Sequence, residues 1–250
     1  MRRKEIERAD QLFAKATKLD RDNHAAWFQS GVLLAQRGRW QKALGPLGRA
    51  SELVRGNAVY SFHYGRALLE TGELGAALKV LGRSVEDDPE QYQAHYFYGI
   101  ASERAGDFRS AAVAWSESAR LEPCFPPAFI RLAQLYERWQ FRARAMVVAE
   151  KGLECQREVA HSRWKLWAIC GRVQEFQGQS EAALACYHRA LKEQVVPDLL
   201  LRRAAILNRL GFPDEARADL RRYLSLEGVS SWNRQVANER LRAIDASDRR

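Results

Sequence analysis

Seven alanines recur along this chain at a nearly constant interval: Ala9, Ala43, Ala77, Ala111, Ala145, Ala183 and Ala216, in steps of 34, 34, 34, 34, 38 and 33. A period of that size is the length of one supersecondary unit, repeated. Each unit buries its apolar face only against its neighbours, so the array lengthens without one large core. The 250 residues therefore need not be divided into domains as length alone would suggest. Such an architecture points to a protein that holds something.

Other residues keep the same phase. With Ala43 placed at position twenty of a 34-residue window, position eight is small in six windows: Gly31, Gly65, Gly99, Ala133, Gly171 and Ala205. Position twenty-seven is small at Ala16, Ala50, Ser84, Ser118, Gly152 and Ala190, with Tyr223 the exception. Position twenty-four is bulky at Phe13, Leu47, Leu81, Trp115, Tyr187 and Leu220, with Ala149 undersized. Glycine recurs near position fifteen at Gly38, Gly72, Gly106, Gly178 and Gly211, and Pro89 and Pro123 close two windows.

Positions four, seven, eight and eleven share one face of a helix, and twenty, twenty-four and twenty-seven share one face of a second. Small residues at eight and twenty predict that two antiparallel helices approach closely, small side chain against small, with bulky neighbours filling the flanks. The intervening glycine supplies the left-handed residue that ends the first helix. Proline near the window's end stops the second.

The pattern resembles the tetratricopeptide repeat. It is carried by Trp27, Gly31, Trp40, Ala43 and Ala50 in the first full repeat and by Tyr98, Gly99, Gly106, Phe108, Ala111 and Pro123 in the third. Trp167, Gly171, Gly178, Ala183, Tyr187 and Ala190 carry it in the fifth, and the likeness spans roughly residues 5–227. It implies an all-α, right-handed superhelical solenoid of antiparallel helix pairs. The repeats are expected at 24–57, 58–91, 92–125, 126–159, 164–197 and 198–227. A capping or half-repeat helix is expected over 1–22, with Ala9, Phe13, Ala16 and Leu19 in phase. A C-terminal cap is expected over 229–245, packing through Trp232, Val236 and Leu241, ahead of a frayed tail at 246–250. The rhythm breaks at the Pro-rich 123–127, at 160–163 where four residues are added, and at Trp139-Gln140 where the fourth turn lacks glycine.

In the family, the first helix of each repeat lines a concave groove. Carried onto this sequence, the groove residues are Phe28, Val32, Phe62, Arg66, Tyr96, Ile100, Ile130, Gln134, Lys165, Arg172, Arg202, Arg203 and Arg209. The first half is apolar and aromatic, the second basic. This suits a peptide or helix of another protein, amphipathic or acidic: rings supply desolvation energy and guanidinium forks grip carboxylates. The family's chaperone-tail clamp, a Lys at position five and an Asn at nine, is absent, because position five is Phe28, Phe62, Tyr96 or Ile130.

Enzymatic motifs are missing: no phosphate-binding glycine loop, no HExxH, no GxSxG. No catalytic, cofactor or metal residue is assigned. His63 and His95 fall at nearby positions of successive windows and read as packing residues. Cys124, Cys155, Cys170 and Cys186 form no CxxC pair, and read as free thiols in a reducing, cytoplasmic compartment. No segment is apolar enough for membrane insertion. Net charge is +9, of which residues 1–125 contribute +2 and residues 126–250 contribute +7. That excess leaves charge-driven nucleic-acid binding as one alternative to the scaffold reading; the unpaired terminal helices, which invite stacking with a second array, leave self-association into a homodimer as another. A base-reading code is not supported, because the concave positions vary from Phe to Arg to Leu.

Overall fold

The computed structural model describes residues 12–13, 15–16, 19–155 and 162–247. Among them are thirteen bounded helices and no strand, an all-α helical-repeat fold. The chain forms two compact units that divide between Glu122 and Pro123. The first unit holds α1 (His24–Gln36), α2 (Trp40–Leu53), α3 (Ala58–Thr71), α4 (Leu74–Asp87), α5 (Tyr92–Arg104) and α6 (Phe108–Leu121). The second holds α7 (Pro126–Arg138), α8 (Arg142–Glu154), α9 (Arg163–Phe176), α10 (Ser180–Glu193), α11 (Pro197–Arg209), α12 (Pro213–Leu224) and α13 (Ser231–Ser247). Within each unit, consecutive helices pack as hairpins and the hairpins stack.

Local chemistry starts and stops these helices. Asn23, Asn57 and Asp107 accept the backbone N–H three residues on, at 2.9, 3.0 and 3.0 Å, so each caps a helix start. Pro126, Pro197 and Pro213 stand at the first helical position, where a missing N–H costs nothing. Every hairpin turn closes with an i to i−5 backbone bond, such as Glu73 N–H to the Leu68 carbonyl at 2.9 Å and Phe141 N–H to Tyr136 at 2.8 Å. In five turns the left-handed residue is glycine; in the fourth it is Gln140, at φ 62°.

The six phased alanines from Ala43 to Ala216 are all fully buried. Their partners differ from the expected small-on-small contact. The residue at position twenty-four enters the gap left at position eight. A Cβ on Gly31 would stand 2.5 Å from Leu47 Cγ, one on Gly65 2.7 Å from Leu81 Cγ, and one on Gly171 2.4 Å from Tyr187 Cε1. The bulky residue therefore works as the knob of each hairpin, and glycine is the hole. In the fourth repeat, Ala133 and Ala149 are both fully buried. In the sixth, the 33-residue step moves the register one residue earlier: Ala204 is buried and Ala205, the expected small contact, is exposed.

Three expectations change further. Cys124 and Cys155 are joined in a disulfide, so only Cys170 and Cys186 are free thiols. The hairpin of α7 and α8 brings its two ends together, which the spacing of 31 residues does not reveal. Trp232 is 69 % exposed; α13 docks instead through Ala237 and Ile244, with Leu241 against the same core. Leu19 is exposed too, while Phe13 and Ala16 are half-buried. Most of the proposed N-terminal cap, residues 156–161, which include the first two of the four added at 160–163, and residues 248–250 of the tail lie outside the described residues.

Candidate functional site

The first unit gathers rings along its first helices α1, α3 and α5. Phe28 stacks on Tyr60 with centroids 4.5 Å apart and meets His63 edge-on at 5.1 Å. The Tyr60 hydroxyl hydrogen-bonds His24 Nδ1 at 2.9 Å. Phe62 contacts His63 at 5.0 Å and Phe97 at 5.7 Å, and Phe97 contacts Tyr96 at 5.3 Å. The helical repeat sets this continuity: Phe28, Phe62 and Tyr96 are 34 residues apart, so successive hairpins present rings at the same height.

Arg66 lies among these rings. Its guanidinium carbon is 5.2 Å from the Trp40 ring centroid and 4.7 Å from that of Phe97, close enough for cation–π attraction to hold it. Its Nε is buried and meets no acceptor. The residue as a whole is only half-buried, so a carboxylate from outside can meet the guanidinium without reaching the buried Nε. Burial, with the Arg66 charge added, pushes His63 down to about 4. The imidazole is therefore neutral near pH 7 and behaves as one more ring.

Not every expected groove residue is surface. Phe62, Ile100 and Ile130 are buried, and Phe62 offers contact only through the neighbours it supports. Val32 and Tyr96 are half-buried, and Gln134 is exposed. Trp40, Tyr60, His63 and Phe97 complete the ring surface, and sequence reading missed them. His63 and Phe97 share window position six, a recurrence that could have marked them.

The basic residues of the second unit are largely paired internally. Arg172 grips Glu137 with both forks, at 2.6 and 2.8 Å. Arg203 does the same to the buried Asp219, at 2.7 and 2.6 Å, tying α11 to α12. Arg202 donates to Asp198 at 2.9 Å and to Glu175 at 3.2 Å, and Tyr187 also donates to Glu175 at 2.6 Å. Arg209 donates to Ser180 Oγ at 2.8 Å, while Lys165 Nζ lies 5.6 Å from the Trp164 ring. Sequence spacing placed these cations on one face; Glu137, Glu175 and Asp219, which hold Arg172, Arg202 and Arg203, come from neighbouring helices, and Asp198 from Arg202's own. His63 and His95 keep separate partners, with His95 Nε2 2.9 Å from the Pro89 carbonyl. Among the described residues no cluster has metal-binding composition, and no helix is long and apolar enough to cross a membrane.

Stacked helix hairpins with a ring-lined face of first helices define a helical-repeat protein. The tetratricopeptide repeat family matches residues 1–58, 65–128 and 171–229. The chain belongs to that family, whose members are generally protein-interaction scaffolds. The C-terminal part of a tetratricopeptide repeat-containing protein from Cytophaga hutchinsonii superposes with a TM-score of 0.71 at 15% identity, over 94% of this chain and 95% of that one. YrrB, described as having an unusual peptide-binding site, gives 0.60 at 15%, over 75% and 94%. MamA from Desulfovibrio magneticus RS-1, residues 41 to the end, gives 0.57 at 22%, over 63% and 89%. At these identities the likeness is one of fold. No curated protein matches the sequence.

Proposed function

We propose that this protein is a non-catalytic interaction scaffold whose first unit binds a peptide or helix of a partner along the ring-lined face of α1, α3 and α5. The partner chemistry is apolar or aromatic anchors beside a carboxylate. One observation carries this reading: the half-buried Arg66 guanidinium stands against Trp40 and Phe97 and pairs with no carboxylate among the described residues. The expected groove cations Arg172, Arg202 and Arg203 add little to this face, because they already hold carboxylates. The Cys124–Cys155 disulfide favours an oxidising compartment over a reducing cytoplasm.

A random-peptide display selection on the whole chain tests the reading. Selected peptides should share an Asp or Glu next to an aromatic or aliphatic residue, and Arg66→Glu should lose them. Peptides without an acidic position, or retained equally by Arg66→Glu, would overturn it.

A further inference from the structure

The second unit encloses a chemically different feature. A cavity of about 430 Å³ opens between α8, α9 and α10, and its lining includes Glu150, Glu154, Trp167, Cys170, Cys186 and Arg189. The two free thiols of the described chain thus share one cavity. They arrive there from window positions seven and twenty-three of one repeat, on the facing sides of α9 and α10. The Cys186 thiol donates to Gln174 Oε1 at 3.2 Å. The Arg189 guanidinium lies 4.5 Å from the Trp167 ring centroid, on the rim of the same cavity.

We propose that Cys170 and Cys186 form a dithiol site for low-molecular-weight disulfides, in which Cys186 attacks and Cys170 resolves. Cys186 is the more exposed of the two, at 7 % against 1 % for Cys170, and it lines the cavity together with Arg189. The thiolate is the attacking species in disulfide exchange, and Cys186 is the sulfur that an incoming disulfide reaches first.

The exchange balances without another reactant. The Cys186 thiolate attacks one sulfur of RS–SR; its new S–S bond forms as the old one breaks, and one thiolate RS⁻ leaves. Cys170 then gives up its proton and attacks the Cys186 sulfur, expelling the second RS⁻. The two cysteines lose two electrons, the small disulfide gains them, and the cysteine protons end on the two released thiols. The cavity gives room for the substituent R of the mixed disulfide. Arg189 offers a cation to a carboxylate on it. The Cys124–Cys155 pair is already bonded and supplies no thiol.

The test uses the native whole chain with its disulfide intact and oxidised glutathione as the probe. Mass spectrometry after alkylation should show wild type losing two thiols as an internal Cys170–Cys186 disulfide. Cys170→Ser should accumulate one glutathione adduct on Cys186. Cys186→Ser should react roughly tenfold more slowly or worse, since the remaining thiol is the more buried one. Alanine variants replace serine ones if circular dichroism shows a loss of helix. Equal reactivity of Cys170 in the Cys186 variant would overturn the proposal. So would native wild type keeping both thiols while the same reagent modifies the denatured chain.

Discussion

Trp115 occupies the space that the missing side chain of Gly99 leaves: a Cβ on Gly99 would stand 2.5 Å from the indole Nε1, which donates to the Tyr96 carbonyl at 3.2 Å. Gly99→Ala therefore forces a fully buried indole to move and strains that hydrogen bond, and overpacking of this kind costs about 1–3 kcal/mol. Gly82 lies within α4, and a Cβ there would meet only Tyr98, at an ordinary 3.6 Å. Gly82→Ala should instead stabilise by about 0.5–1 kcal/mol, because alanine loses less conformational freedom in a helix. Urea denaturation of the two variants checks the opposite signs.

The alanine period made the fold class legible because each phased alanine sits where two helices touch, and no other side chain fits without separating them. What that period could not show was which group fills the hole. Position twenty-four looked like a flank until the structure placed Leu47, Leu81 and Tyr187 against glycine. The site was half legible. Phe28 and Tyr96 follow from the repeat, but whether a cation is available depends on carboxylates from other helices, as with Arg203 and Asp219. A single 33-residue step was enough to exchange Ala204 for Ala205. The disulfide stayed hidden because Cys124 and Cys155 meet only when the hairpin folds.

Gln140 adopts φ 62° where the other five turns place glycine. A side chain in the left-handed region costs about 1–2 kcal/mol. Its amide oxygen accepts from Arg142, which offsets part of that cost. Gln140→Gly should accordingly stabilise by about 1 kcal/mol, read as a rise in the urea midpoint without a change of slope.

His63 gives the stability a pH dependence of definite sign. Its folded value of about 4 lies below the ordinary 6.5. Between those values the unfolded chain binds a proton and the folded chain does not. The contribution is therefore present above pH 6.5 and is lost as pH falls toward 4. Allowing for screening at this half-buried ring, His63→Phe should remove about 1 kcal/mol of the wild-type loss between pH 7 and 5. Thermal melts at several pH values check it.

Cys124 and Cys155 are 31 residues apart in sequence. Closing a loop of that length constrains the unfolded chain by about 3–4 kcal/mol in the chain-entropy account. Cys155→Ser should lower stability by roughly that amount or somewhat less, while helical content near 25 °C stays unchanged. Circular dichroism followed through a denaturant titration checks both.

The central claim is that binding is anchored by the ring-held Arg66 of the first unit, while the paired arginines of the second unit serve structure. The most direct measurement is the affinity of one selected acidic peptide, by fluorescence anisotropy, for wild type, Arg66→Glu and Arg202→Glu. A lost charge-assisted hydrogen bond is worth about 1.5–3 kcal/mol, so Arg66→Glu should weaken binding at least roughly tenfold. Arg202→Glu should leave affinity within about twofold of wild type, since its guanidinium is already engaged. Loss with Arg202→Glu and none with Arg66→Glu would contradict the account.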